Sequence, residues 1–324
     1  MKRFLTFLLA ACLALLAGCA RKDSAVAREY VSWDYFDTLI SIEYAGENLD
    51  HLISGVLERQ HAVFDMHSPH AGVNGVYALN AAGGKWVSVE PELMELLLLC
   101  REWGGISRAT DVTQGCLYAL WHDFREGGEL PTELQLSAAR AAGGWENVEI
   151  DELGGRVRLL DADTCIDMGA VAKGYACRML AGVLEANGCA EYLISAGGSV
   201  TAGRRAPAYS IGVADPSGEG IALIMEFTEL SAVTSGGYQR YRELDGVRYQ
   251  HMIDVDTLYP GAHGVLQATV ICADPALGDF MSTCLFLTDY EDGRYLAENA
   301  GVDAIWILED GRVEMTDGAQ DLLK

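Results

Sequence analysis

Asp279 and Thr283, in Gly278-Asp279-Phe280-Met281-Ser282-Thr283, stand four apart and therefore share one face of a helix. A carboxylate and a hydroxyl stacked in this way are hard oxygen donors suited to Mg²⁺, which keeps waters and takes further ligands from phosphates. The plainer reading is an acidic helix start with an inward threonine. A second constellation is Ile166-Asp167-Met168-Gly169-Ala170-Val171-Ala172-Lys173-Gly174-Tyr175, where a strand ends in an acid and small residues before a helix carrying a lysine. Small residues admit backbone close to a ligand, helix N-terminal amides favour phosphate, and Lys173 adds a mobile positive charge. The GxxxxGK spacing of a P-loop is absent, so an ordinary helix start also satisfies this pattern. Third, Thr234-Ser235-Gly236-Gly237-Tyr238 precedes His251-Met252-Ile253-Asp254. These offer hydroxyls, pliant backbone, and a His–Asp pair able to move a proton; a structural histidine in a strand is the alternative. Gly197-Gly198 is a fourth point of close backbone approach. Of seven histidines, His51, His61, His67, His70, His122 and His263 lack a supporting motif.

The elements that must position these residues follow from periodicity. A strand is expected at 38–44, then helices at 49–67, 91–110, 131–142 and 171–187, the last ended by Gly188. From Tyr192 strands dominate, at 192–195, 209–214, 221–227, 230–234, 249–253 and 267–273. Helices at 278–287 and 290–300 and a strand at 304–308 close the chain. Runs of helix beside runs of strand predict an α+β architecture.

The N-terminus reads as an export signal: Met1-Lys2-Arg3, then an apolar run from Phe4 to Ala17 broken only by Thr6. That run is too short for an ordinary membrane-spanning helix. Leu15-Leu16-Ala17-Gly18-Cys19 resembles the cleavage site of bacterial lipoproteins, against the alternative of an ordinary signal peptide with an incidental cysteine. The expected organisation is a signal peptide at 1–18, a tether at 19–30 lipidated on Cys19, and one functional domain at 31–324. The protein then sits on the extracytoplasmic side of a bacterial membrane, held by acyl chains. Net charge is −24, which disfavours nucleic acid and calls for a cation wherever a polyphosphate binds. Of nine cysteines, Cys12 leaves with the signal and Cys19 takes lipid. Cys100, Cys116, Cys165, Cys177, Cys189, Cys272 and Cys284 form no CxxC or zinc-type spacing and read as buried thiols.

Taken in order, IDMGAVAKGYA, SAGGSV, TSGGY, HMID and GDFMST resemble the FAD:protein FMN transferase family, also called ApbE, across nearly the whole body. The resemblance implies mixed sheets with flanking helices and a flavin site in a cleft between the two halves. It implies Mg²⁺ bound by Asp279, Thr283 and the Ala170 carbonyl. Toward FAD it implies Phe36, Ala109, Thr110, Asp111, Asp167, Lys173 and Ile253, with His251 near the phosphates and His251 or Asp254 as proton acceptor. The implied partner is an acceptor protein, a membrane redox subunit flavinylated on a Thr or Ser hydroxyl. An FAD pyrophosphatase and a non-catalytic flavin-binding lipoprotein are the alternatives. Phe36-Asp37-Thr38 stands where many relatives have Met-Gly-Thr, Arg108-Ala109-Thr110-Asp111 where they have Gly-Ala-Phe-Asp, and Val255 where a proline is usual. Ser195-Ala196-Gly197-Gly198-Ser199 lacks an acid often found after the glycine pair.

Overall fold

A computed structural model describes residues 26–324 apart from Glu219, Gln239 and Ala262. The expected signal peptide and Cys19 lie outside the described residues. The central element is an eight-stranded sheet of β1 (Ala27–Ser32), β2 (Ile40–Ala45), β3 (Tyr192–Ala196), β4 (Ser199–Ala202), β5 (Ser231–Gly236), β6 (Val265–Cys272), β7 (Asp303–Leu308) and β8 (Val313–Met315). The strands lie side by side in chain order, and every pairing is antiparallel.

Residues 46–191, between β2 and β3, carry α1 (Asp50–Phe64), α2 (Val76–Asn80), α3 (Pro91–Trp103), α4 (Gly115–Arg125), α5 (Glu133–Ala142) and α6 (Ala172–Ala186). The same excursion holds a small sheet of Val87–Ser88, Arg156–Leu159 and Val148–Asp151. Two separate hairpins, Tyr209–Ala214 with Ile221–Phe227 and Tyr241–Leu244 with Val247–Gln250, decorate the strand-rich part. After β6 come α7 (Pro275–Phe286) and α8 (Tyr290–Ala300), and α9 (Asp317–Gln320) ends the chain. Among the described residues no helix is long and apolar enough to cross a membrane. This is the α+β arrangement of sheets and flanking helices that the sequence pattern predicts.

The helix that matters most is α7. Asp274 caps it by accepting the Ala276 amide, Pro275 occupies its first turn, and nearly every residue from Pro275 to Phe286 is buried. A helix apolar on all sides belongs inside a protein, and here α7 runs through the largest hydrophobic cluster with Phe280, Met281, Cys284, Leu285 and Phe286. Asp279 and Thr283 are therefore carboxylate and hydroxyl on a buried rod. The helix α6 stops where Gly188 adopts φ +77°, a left-handed conformation that glycine takes without a Cβ clash.

Four expectations are corrected. The tether ends earlier than Tyr30, because Ala27–Ser32 pairs along β2 from Ala27↔Ala45 to Ser32↔Ile40. The first helix ends at Phe64, where Asp65 turns extended and its Oδ1 accepts the amides of His67 and Ser68. The helix expected to reach residue 110 ends at Trp103, before the glycine pair Gly104-Gly105. The strand expected at 249–253 ends at Gln250, whose side chain satisfies Met252 N–H and the carbonyls of Met252 and Gly261, drawing the chain into a loop.

Candidate functional site

At Gly174 the first turn of α6 lies directly on α7. A Cβ there would stand 2.1 Å from the Pro275 carbonyl oxygen and 2.7 Å from the Asp279 Cβ, so glycine is required by contact rather than by torsion. The close approach lets the Gly174 amide donate to Asp279 Oδ2 at 2.8 Å. In a regular helix that amide would serve the carbonyl four residues back, Ala170. Among the described residues nothing donates to the Ala170 oxygen. Lys173 Nζ lies 3.5 Å from Asp279 Oδ1 and donates to the Gly169 carbonyl at 3.4 Å. Burial pushes the Asp279 carboxyl up, against the pull of Lys173 and the Gly174 amide.

Thr283 Oγ1 donates back to the Asp279 carbonyl at 3.3 Å, as Ser282 Oγ does at 3.0 Å. Both hydroxyls meet Ser235 of the Thr234-Ser235-Gly236-Gly237-Tyr238 motif, at 2.9 Å from Ser282 and 3.4 Å from Thr283. Two sequence motifs thus converge on one helix face.

Beside this junction lies a gathering of cations. His251 is held down to about 4 by burial first, then by the charges of Arg125, Arg240 and Lys173. Its Nδ1 is buried without a hydrogen-bond partner, and so is Nη1 of Arg125. Burial pushes the Arg125 guanidinium down as well, with Glu126 and Asp167 pulling it up and Arg240 adding to the depression. Arg125 and Lys173 are half-buried and Arg240 is exposed, so in a chain of net charge −24 three cations gather around one imidazole, a local field that suits an anion. The orphaned Arg125 nitrogen is a donor that such an anion would satisfy, whereas Nδ1 of the neutral His251 ring is left as an acceptor.

The Asp167 carboxyl faces the same region: burial raises it, and the Gly169 amide, His67, His122 and Arg125 oppose that rise. Its Oδ1 accepts Gly169 N–H at 2.6 Å, and its own amide donates to the Val112 carbonyl at 2.8 Å. That backbone bond brings the Ala109-Thr110-Asp111 segment alongside. Asp111 spends Oδ1 on the Thr113 amide and hydroxyl, at 2.9 and 2.8 Å, which shapes a turn; Thr110 is buried. On the far side, Arg240 donates to the Asp37 carbonyl at 2.8 Å, tying the Phe36-Asp37-Thr38 turn to the cations. Phe36 and Asp37 have φ of +56° and +50°, uncommon for residues with a Cβ. Thr38 sits over Gly197, where a Cβ would lie 2.6 Å from Thr38 Oγ1. The fourth glycine motif is thereby explained as a contact for the third residue of that turn.

The expected His251–Asp254 pair does not form. Asp254 Oδ2 meets His263 Nε2 at 2.7 Å, and Oδ1 accepts the amides of Asp256 and Thr257 at 2.7 and 3.2 Å. Both oxygens are thus committed to the loop, which corrects Asp254 as a proton acceptor and also the dismissal of His263. The Ile253 side chain belongs to a core cluster with Leu117, Trp121 and Phe124, leaving only its backbone for any ligand. Sequence reasoning missed Arg125 and Arg240; Arg125 ends a helix, α4, that was not foreseen, and no local motif marks either. The thiol expectation holds for Cys100, Cys177, Cys189 and Cys284, whereas Cys116, Cys165 and Cys272 are partly exposed.

This architecture is shared with solved proteins of one class. It superposes on the ApbE protein of Thermotoga maritima with a TM-score of 0.82 at 27% identity, covering 92% of this chain and 100% of that one. The Pseudomonas stutzeri flavinyl transferase ApbE, in its apo form, gives 0.81 at 25% identity over 94% and 98%. The model of the ApbE family matches residues 36–306, and the chain belongs to that family. Among curated relatives, the FAD:protein FMN transferase of Treponema pallidum is 32% identical over 182 residues, 52% of this chain and 50% of that protein. That of Klebsiella pneumoniae is 32% identical over 236 residues, 71% and 73% respectively. The match thus spans about half of the first relative and nearly three quarters of the second.

Proposed function

We propose that this chain transfers the FMN half of FAD to a threonine or serine hydroxyl of an acceptor protein, releasing AMP. The observation that carries the reading is that Lys173 joins the two groups, paired with Asp279 on one side and acting with Arg125 and Arg240 on His251 on the other, so that cations stand beside a set of oxygen ligands. The names of its relatives, FAD:protein FMN transferase, point the same way.

The donor set fits Mg²⁺: a carboxylate, a hydroxyl and a carbonyl that no amide occupies, all oxygen, as that ion demands. Asp279, Thr283 and Ala170 would hold it, and its contribution would be to withdraw charge from the diphosphate oxygens. Lys173, already the counter-charge of Asp279, would turn toward the phosphates. Arg125 and Arg240 neutralise the remaining negative charge and fix the diphosphate for in-line attack. The acceptor oxygen bonds to the FMN phosphorus as the bond from that phosphorus to the bridging oxygen breaks. Neutral His251 takes the hydroxyl proton, and its basicity rises when the diphosphate charge arrives next to it. Asp167, Phe36 and the backbone at Ala109–Asp111 and Ile253 line the flavin side.

The acceptor is a membrane redox subunit on the outer face of the cytoplasmic membrane, and lipidation of Cys19 holds the enzyme there. The test incubates the purified full chain with FAD, Mg²⁺ and a threonine-containing acceptor domain, following acceptor mass and free nucleotides together. A gain of one FMN with stoichiometric AMP supports transfer. Free FMN and AMP with unmodified acceptor would make the chain a pyrophosphatase, and intact FAD bound without turnover would make it a flavin-binding protein.

A further inference from the structure

Beside the Phe36 turn, two histidines that stand in no sequence motif and an aspartate form a second cluster. His61 from the last turn of α1, Asp65 just beyond it and His70 from the following loop bring ligand atoms to within 4.8 Å of one another. His70 Nε2 lies 2.9 Å from Asp65 Oδ2. The other carboxylate oxygen is held by the His67 and Ser68 amides at 2.7 and 3.1 Å, so Oδ2 is fixed in direction while still having lone pairs to give. Burial raises the Asp65 carboxyl, but His70, those two amides and the charge of His61 outweigh it and keep it below the ordinary carboxylate range. The His61 and His70 rings stand 5.8 Å apart, nearly perpendicular at 78°, so the two nitrogens approach from different directions rather than stacking.

We propose that His61, Asp65 and His70 form a binding site for a first-row transition metal of the Zn²⁺ type, separate from the oxygen site at Asp279. Two imidazoles and one carboxylate are the donor set that favours Zn²⁺, Co²⁺, Fe²⁺ or Ni²⁺ over Mg²⁺, which seeks oxygen alone. Ligand atoms in a tetrahedral site with bonds of about 2.0–2.1 Å stand roughly 3.4 Å apart, so the present spread closes by small side-chain rotations. Three protein ligands leave a fourth position for water. The amide bonds on Asp65 supply the orienting outer contacts that metal carboxylates require.

The site has a structural consequence for its neighbour. The Phe36 amide points to His61 Nδ1 at 3.5 Å, and the Phe36 ring meets the His61 ring edge-on at 5.6 Å. Tyr35 contacts the same imidazole at 6.0 Å. A bound metal takes the acceptor nitrogen of His61 in exchange for the long Phe36 amide contact, and by fixing the ring it steadies the Phe36-Asp37 turn through the edge-on contacts of Tyr35 and Phe36. The metal is thus a clasp on the loop between β1 and β2, not a participant in phosphoryl chemistry.

The decisive measurement is a Co²⁺ titration of the chelator-stripped full chain, read by visible absorption. The intense d–d bands of a four- or five-coordinate nitrogen-and-oxygen site are expected. They should survive millimolar Mg²⁺ and disappear with one equivalent of Zn²⁺. Absence of bands in the wild type, or their loss to Mg²⁺, overturns the proposal without any variant. In His70→Gln and His61→Gln, with folding verified by circular dichroism, Zn²⁺ affinity should fall by more than about 100-fold, beyond what disturbing an outer contact causes. In Asp279→Asn it should be unchanged. Undiminished affinity in both histidine variants, or loss in Asp279→Asn, would refute this ligand set. Should neither histidine variant fold, X-ray absorption of the Zn²⁺-loaded wild type decides: two imidazoles in the shell support the site, and an all-oxygen shell rejects it.

Discussion

Asp279 is held by a buried helix, a glycine contact and an amide from the next helix, all regular structure. Arg125, Arg240 and His251 instead come from a helix terminus and two loops, and two of them carry orphaned buried nitrogens. On the oxygen side Asp279 and Thr283 already have partners and the Ala170 carbonyl stands open; on the cationic side one buried nitrogen each of His251 and Arg125 has none. Pre-organised donors favour catalytic charge stabilisation, whereas unrelieved like charge favours binding of an anion. Under the proposed transfer, the chemistry belongs to the α6–α7 junction and capture to the cation group.

Substitutions can break that contrast or sharpen it. Asp279→Ala should lower turnover by about 10²–10³-fold with the FAD KM changed less, measured by AMP release; an unaltered rate would remove Asp279 from the chemistry. His251→Gln should lower kcat by about 100-fold and change the pH profile. The free-enzyme value of about 4 means that His251 stays neutral as pH falls from 7, so kcat/KM should hold until pH approaches that value. A bound diphosphate favours the imidazolium, so the acid limb of kcat should lie higher, and the glutamine variant should lack this displacement. Arg125→Met removes a charged hydrogen-bond donor worth about 1.5–3 kcal/mol, and should appear as a raised FAD KM with kcat largely kept. Gly174→Ala forces α6 from α7 and should destabilise the fold by about 1–3 kcal/mol, seen as a lower urea midpoint. The smallest effect belongs to His263→Gln. It loosens the Asp254 loop by about 1 kcal/mol in thermal melts and leaves the acid limb where it was, since Asp254 is not the base.

How far the sequence reached follows the same division. Asp279, Thr283, Lys173 and Gly174 lie within short windows whose periodicity dictates which face they share, so α6, α7 and their polar face were readable. The cation group was not, because Arg125 and Arg240 meet His251 only through tertiary packing and neither stands in a local pattern. Proximity in sequence also misled: His251 and Asp254 are three apart, yet the chain leaves the strand at Gln250 and hands Asp254 to His263. β1 reads as tether in the sequence because Arg28 and Glu29 are charged; at the sheet margin its neighbour β2 supplies the buried face. Continuity of apolar spacing carries the expected helix past Asp65, whereas its side chain takes the amides of the following turn and ends the helix at Phe64.

The sheet also sets an order in time. From β3 to β8 the strands of this sheet pair in chain order, across connections that hold no more than a hairpin or two helices. The seam between β2 and β3 joins Tyr44 to Tyr192 and Ile40 to Ala196 across the entire helical excursion, a far longer closure with a correspondingly larger entropy penalty. The β1–β2 hairpin therefore docks late, and it brings the Phe36 turn with it. Amide protons along that seam should be the last in the sheet to gain protection during refolding, leaving the Phe36 turn as the final piece to set.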